Sequence, residues 1–284
     1  MEDLARSGKL MVKRSVFIIS DGTGITAEIL GHSLLSQFPS VKFSTKALPF
    51  INSDNKLLEA LKKIDAAARE DGAQPLIFAT FVDRSYIERL RASDGLLFDL
   101  FGNFLRVVSG ALGVEPTGHV GDGHGVVDPD RYTSRIRAVH FSMDCDDGLN
   151  IEDYNYADLI IVGVSRIGKT PVSLYLAMHF GIFCANYPLV DGELSSEQLP
   201  PILRKYQRRL FGLTTDYNQL QKIRNERRPR SQYSDLQQCR EEVRRSENLF
   251  QQHHVPFLNT NGISIEEIAT AILQRTGLRR QLLG

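Results

Sequence analysis

The chain has 284 residues, 42% of them hydrophobic, and its 34 Lys+Arg are matched by 34 Asp+Glu. That length suits one large domain or two small ones, and the charge balance argues against nucleic-acid binding, which calls for a net basic domain. No apolar run approaches the roughly 18 residues of a membrane span, residues 1–14 lack a secretory core, and Cys145, Cys184 and Cys239 have neither disulfide nor metal spacing, so a soluble, cytoplasmic protein with reduced thiols is expected.

Residues 15–20 form an apolar run expected to be a buried strand, and Asp21-Gly22-Thr23-Gly24 a turn. A helix is expected over 25–37, with Ile25, Ile29, Leu30 and Leu34 close to helical spacing. Strand 41–48, helix 55–70 and strand 75–82 follow, and Asp83 suits the cap of the next helix. Alternating strands and helices mean an α/β domain with a mostly parallel sheet. Residues 113–135 are rich in glycine and polar residues and read as a linker or functional loop. A second α/β unit is expected from about Tyr154, with a helical, charged stretch over 202–252. A last strand at 255–260 precedes the capping box Ser264-Ile265-Glu266-Glu267. The expected organisation is a variable segment 1–14, an α/β domain 15–112, a connecting segment 113–150 and a nucleotide-binding domain 151–284.

The strongest motif is Gly163-Val164-Ser165-Arg166-Ile167-Gly168-Lys169-Thr170, a complete G-x-x-x-x-G-K-[ST] phosphate loop. An apolar, β-branched run at 157–162 precedes it and a helical run at 170–180 follows, with Pro171 tolerated in the first turn and Gly181 a natural stop. Gly163 and Gly168 let backbone N–H groups converge on one anion, and the helix N-terminus adds partial positive charge. Lys169 would reach terminal phosphates, Thr170 would sit on Mg²⁺, and Arg166 adds a fork suited to phosphoryl oxygens.

Weaker constellations keep two readings each. Asp21, in the turn at 20–26, is a base or metal ligand beside a phosphate cradle, or part of an ordinary βα turn. Asp144, Asp146 and Asp147 hold Mg²⁺ or accept a proton, or form an acidic turn in solvent. Asp191 suits a strand-end magnesium ligand, although Pro188 is awkward in a strand. Arg224, Arg227, Arg228 and Arg230, and separately Arg204, Lys205, Arg208 and Arg209, stabilise phosphate or cover a solvated face. His119, His124 and His140 lack metal spacing.

Taken together, these pieces resemble a known family. They are Ile19 to Glu28, His124-Gly125, Tyr132 with Arg135-Ile136, Asp146-Asp147-Gly148, the loop extended to Ala177, and Leu210-Phe211-Gly212-Leu213-Thr214. Ile223 to Arg228, Tyr233 with Gln238-Cys239-Arg240, and Ser264 to Ala269 complete the set. The chain is similar, from about residue 15 onward, to the bacterial regulatory proteins of phosphoenolpyruvate synthase and of pyruvate, phosphate dikinase. Residues 179–182 and 185–188 resemble the synthase branch. The resemblance implies a Rossmann-like N-terminal half, a P-loop kinase-like C-terminal half and a bifunctional enzyme. Such an enzyme phosphorylates a threonine of its target with ADP as donor. It removes that phosphate with inorganic phosphate, releasing pyrophosphate. The loop at 163–170 would then be the ADP site, with Lys169 and Arg166 on the phosphoryl group. Asp146 or Asp147, and after them Asp21, would orient the hydroxyl, with Mg²⁺ present. Phosphoenolpyruvate synthase would be the partner, and the helices at 202–252 suit a homodimer. An ATP-dependent small-molecule P-loop kinase is the alternative, disfavoured by the N-terminal half that such compact kinases lack. A non-catalytic nucleotide sensor is a third.

Overall fold

The computed structural model describes residues 13–118, 129–196 and 198–278. His119, His124 and residues 1–12 therefore lie outside the described residues. The chain divides into two compact units at residues 125/126.

The first unit runs β1 (Lys13–Ser20), α1 (Ile25–Leu35), β2 (Lys42–Leu48), α2 (Asp54–Asp71), β3 (Leu76–Thr80), α3 (Arg84–Arg91), β4 (Leu96–Asp99) and α4 (Leu100–Leu112). Its sheet is parallel, in the order β2-β1-β3-β4. The two-residue period of a strand splits β1 between two cores. Phe17 and Ile19 pack with Leu57 and Ile64 of α2 and with Ile87 and Leu90 of α3. Val16 and Ile18 pack with Phe78 and with Ala27 of α1. Asp83 caps α3 by accepting the Ser85 N–H at 2.8 Å.

Helix α1 departs from the expectation drawn from its apolar spacing. Ile25, Ile29, Leu30 and Leu34 are exposed, and the positions turned to the sheet are Ala27 and Gly31. A Cβ at Gly31 would lie 3.2 Å from the side chains of Ile18 and Phe78. Small residues bring this helix close to the sheet, so the large apolar side chains point outward.

The second unit holds α5 (Pro129–Asp144), β5 (Leu159–Gly163), α6 (Lys169–Phe180), β6 (Cys184–Pro188), α7 (Asp191–Ser195), α8 (Pro201–Arg204), β7 (Leu210–Thr214), α9 (Tyr217–Arg227), α10 (Leu236–Gln252), β8 (Phe257–Asn259) and α11 (Ile265–Thr276). Its sheet is also parallel, in the order β6-β5-β7-β8. Pro188 ends the edge strand β6, where a missing N–H is tolerated. Ser264 caps α11 in the expected capping box with Glu267.

Several elements were not legible in the sequence, β4 and α4 of the first unit among them, and two in the second unit bear on the loop. Helix α5 occupies part of the stretch read as a connecting segment and packs on α6 and β6. Among the described side chains its buried positions are Ala138 and Ser142, with Cys145 just beyond its end. They are small residues, so no large apolar stripe marks the helix. Strand β7 falls inside the stretch read as helical, and it is a central strand with all five residues buried. A five-residue apolar run has no room to display a period, so its charged helical flanks masked it. Cys145, Cys184 and Cys239 are free and buried. No helix among the described residues is long and apolar enough to cross a membrane.

Candidate functional site

Strand β5 ends at Gly163, and the loop turns through Gly168 into α6. Gly163 sits where no side chain fits, since a Cβ there would come within 2.3 Å of Ile167 Cδ1 and 2.5 Å of the Leu213 carbonyl oxygen. Gly168 has φ 94° and serves as the N-cap of α6 without a side-chain hydrogen bond. Arg166 also takes a left-handed conformation, with φ 77°. Alternating conformations of this kind make a concave nest of N–H groups, at the end of a helix whose partial charge favours an anion.

Lys169 is 5% exposed and donates from Nζ to the Val164 carbonyl at 3.1 Å. Burial pulls its ammonium down to about 8, against the opposing pull of Asp147 and then Asp146. Arg166 is exposed and forms no ion pair among the described residues.

The carboxylates at the end of α5 reach the loop. The Thr170 hydroxyl donates to Asp146 Oδ1 at 2.8 Å, and the amide of Asn186 donates to the same oxygen. Asn186 is fully buried on β6, and its side-chain oxygen accepts the Asp147 N–H at 3.0 Å. Asp147 itself is exposed and adopts φ 52°. This replaces the solvated-turn reading of Asp146 by a fixed contact with the loop. Asp146 and Thr170 bring one carboxylate and one hydroxyl oxygen together, a donor set that fits Mg²⁺. That ion keeps several waters and needs only one or two protein ligands beside phosphate oxygens. Among the described residues no cluster of three or more His, Cys, Asp or Glu forms a self-sufficient metal cage.

A cavity of about 330 Å³ adjoins the loop at Arg166, Ile167 and Gly168. Ile223, Ile263 and Ile268 give it apolar walls, and Gln219, Thr260 and Asn261 supply polar groups. The chain belongs to the kinase/pyrophosphorylase family. The family of that description matches residues 16–273. Relatives provisionally named phosphoenolpyruvate synthase regulatory protein are similar over nearly their whole length. The Alcanivorax borkumensis protein is 46% identical over 271 residues, 95% of this chain and 100% of its own. The Acinetobacter baylyi protein is 45% identical over 275 residues, 97% and 99% of the two chains. The Pseudomonas putida protein is 46% identical over 270 residues, 95% and 99%.

Family membership makes the chain a phosphotransfer enzyme, and the remaining sequence candidates divide in their relation to the loop. Asp21 lies in the first unit, where its Oδ2 accepts the Val82 N–H at 2.9 Å. Ser20 and Thr80 tie the same turn, with their hydroxyls 3.0 Å apart. Those bonds make it a well-held βα turn. Asp191 opens α7 and accepts both oxygens' bonds from Gln238 at 2.9 Å. Arg227, Arg228 and Arg230 are exposed, as a solvated face requires. Arg224 is not part of that face. It is 1% exposed and ion-paired to Glu242 at 2.6 Å. Arg204, Lys205, Arg208 and Arg209 are exposed around a separate cavity of about 900 Å³. The residues that the sequence did not single out are Asn186, Tyr233 and Glu242. Asn186 and Tyr233 entered only through the resemblance, and Glu242 carries no local motif.

Proposed function

We propose that this protein is a bifunctional serine/threonine-protein kinase and pyrophosphorylase that inactivates and reactivates phosphoenolpyruvate synthase. The observation that carries the proposal is the Thr170–Asp146 contact beside Lys169, in a chain whose family and relatives' names point to a phosphotransferase with that target. In the kinase direction ADP is the donor. Its nucleoside occupies the 330 Å³ cavity, and its phosphates lie over residues 163–170. Phosphoryl transfer asks mainly for positioning and charge neutralisation. Lys169 and the loop N–H groups hold the terminal phosphoryl group, and Arg166 neutralises charge gathering on it. Thr170 and Asp146 would hold Mg²⁺, which would supply further neutralisation of the phosphates. Asp147, exposed and with no hydrogen bond to its carboxylate among the described residues, orients the target's threonine hydroxyl and accepts its proton. A bond forms between the threonine oxygen and the β-phosphorus, the bond to the bridging oxygen breaks, and AMP leaves.

In the reverse direction inorganic phosphate attacks phosphothreonine, the threonine oxygen leaves and takes up a proton, and pyrophosphate departs. That phosphate takes the position of the ADP α-phosphate, so one loop serves both reactions. The test is label transfer from [β-³²P]ADP and, separately, from [γ-³²P]ATP to purified phosphoenolpyruvate synthase. Label on a threonine from ADP, released as pyrophosphate when phosphate is added, is the expected result. Label on a small molecule from ATP instead would replace the proposal by the small-molecule kinase.

A further inference from the structure

We propose that Arg224 is a positioning residue that gives the glycine loop its anion-binding shape, by pinning the Ser165 carbonyl so that the Arg166 N–H faces the mouth of the loop. This rests on the loop being a phosphate site, as proposed above.

Arg224 heads the largest fully buried side chains among the described residues. Its Nη1 and Nη2 donate to Glu242 at 3.1 and 2.6 Å. Nη2 also donates to the Ser165 carbonyl, and Nη1 to the Tyr233 carbonyl, each at 3.2 Å. The guanidinium lies 4.3 Å from the centre of the Tyr233 ring. The Tyr233 hydroxyl in turn stands 2.9 Å from the Ser165 hydroxyl. Ser165 is thus held by both its carbonyl and its side chain, through residues 59 and 68 positions away.

A buried guanidinium is expensive to desolvate, and joining two helices does not require one, since apolar side chains of similar volume often serve as well. Here Nε is buried with no partner among the described residues. Arg224's bonds beyond Glu242 go to Ser165, to Tyr233 and, at 3.9 Å, to the Cys239 sulfur. The first two lead to the loop. Glu242 is itself fixed by Gln238, whose amide donates to it at 3.0 Å. Because Glu242 neutralises Arg224, the arginine acts by geometry, whereas the unpaired Arg166 acts by charge.

The geometry follows from the peptide unit. In a trans peptide the C=O and the following N–H point in opposite directions, and no cis bond is present among the described residues. Drawing the Ser165 carbonyl towards Arg224 turns the Arg166 N–H the other way. If that peptide flipped, a carbonyl oxygen would face the phosphate and repel it.

Arg224→Lys keeps the charge and can keep the pair with Glu242, yet a single ammonium cannot also span Ser165 and Tyr233. The full-length protein is titrated with magnesium pyrophosphate and with magnesium ADP by calorimetry, and its melting is followed without ligand. Both affinities are expected to fall about tenfold, the scale of one charge-assisted hydrogen bond, with the ligand-free melting temperature within a few degrees of wild type. Tyr233→Phe keeps ring and carbonyl but loses the hydroxyl, and is expected to lose a few-fold. Wild-type affinity in Arg224→Lys overturns the proposal, and if that variant fails to fold, wild-type affinity in Tyr233→Phe does so. A wild type that binds pyrophosphate but not ADP defeats the ADP-kinase reading and leaves the clamp to be judged on pyrophosphate. A wild type that binds neither defeats both.

Discussion

Replacing Lys169 with methionine is expected to stabilise the ligand-free protein while removing its ability to bind phosphate. The lysine's ordinary value of 10.5 falls to about 8 in the fold because of burial. At about 1.4 kcal/mol per pH unit, keeping the buried side chain charged at neutral pH costs about 3 kcal/mol. Methionine has similar length and no charge to desolvate. It also forfeits the bond from Nζ to the Val164 carbonyl, which returns about 1 kcal/mol, so a net gain of about 2 kcal/mol remains. The pH dependence makes the reasoning specific. Between about pH 8 and pH 10.5 the unfolded chain holds the lysine proton and the folded chain has released it, so wild-type stability rises with pH relative to the variant. The variant's advantage is therefore full below pH 8, gone at about pH 9.5 and reversed by about 1 kcal/mol near pH 10.5. The assay is urea unfolding of both proteins across this range, followed by circular dichroism because the chain has no tryptophan. A stability difference that stays flat from pH 7 to pH 10.5, or a wild type more stable at pH 7, would refute the argument.

Three further expectations concern the same loop, and a fourth is a control in the first unit. The log of kcat/KM for ADP should fall above about pH 8 as Lys169 loses its proton, because this quantity reports the free enzyme's groups; Lys169→Arg should move that limb to higher pH. Asp146→Asn can still accept from Thr170 but no longer presents a full charge, so kinase turnover should drop by about two orders of magnitude and half-saturation by Mg²⁺ should rise; an unchanged magnesium dependence would remove Asp146 from the metal site. Gly163→Ala places a methyl group against Ile167 and the Leu213 carbonyl, and should destabilise by about 1–3 kcal/mol in chemical unfolding. Gly110→Ala, in the interior of α4 with open space around the new methyl group, should stabilise by about 0.5–1 kcal/mol and leave ADP binding untouched.

The local grammar of the chain determined much of this protein. Apolar runs placed β1, β3 and β5, the first and last of them closed by glycine turns, Asp83 and Ser264 marked helix starts, and residues 157–170 specified a strand, a nest and a helix N-terminus. Each of these is written within a short run of consecutive residues, where backbone propensity and side-chain period act directly. Tertiary structure alone decided which distant groups serve the loop. Asp146 meets Thr170 across 24 residues and Arg224 meets Ser165 across 59. Spacing had left the first open to an acidic turn and the second to a solvated helix face. The same holds for α1, whose apolar stripe faces outward because Ala27 and Gly31 permit the closer approach to the sheet. The physical reason is common to all three. Sequence period fixes which residues share a face, while packing density and the need to satisfy buried polar groups fix what that face meets, and those depend on the whole folded chain at once.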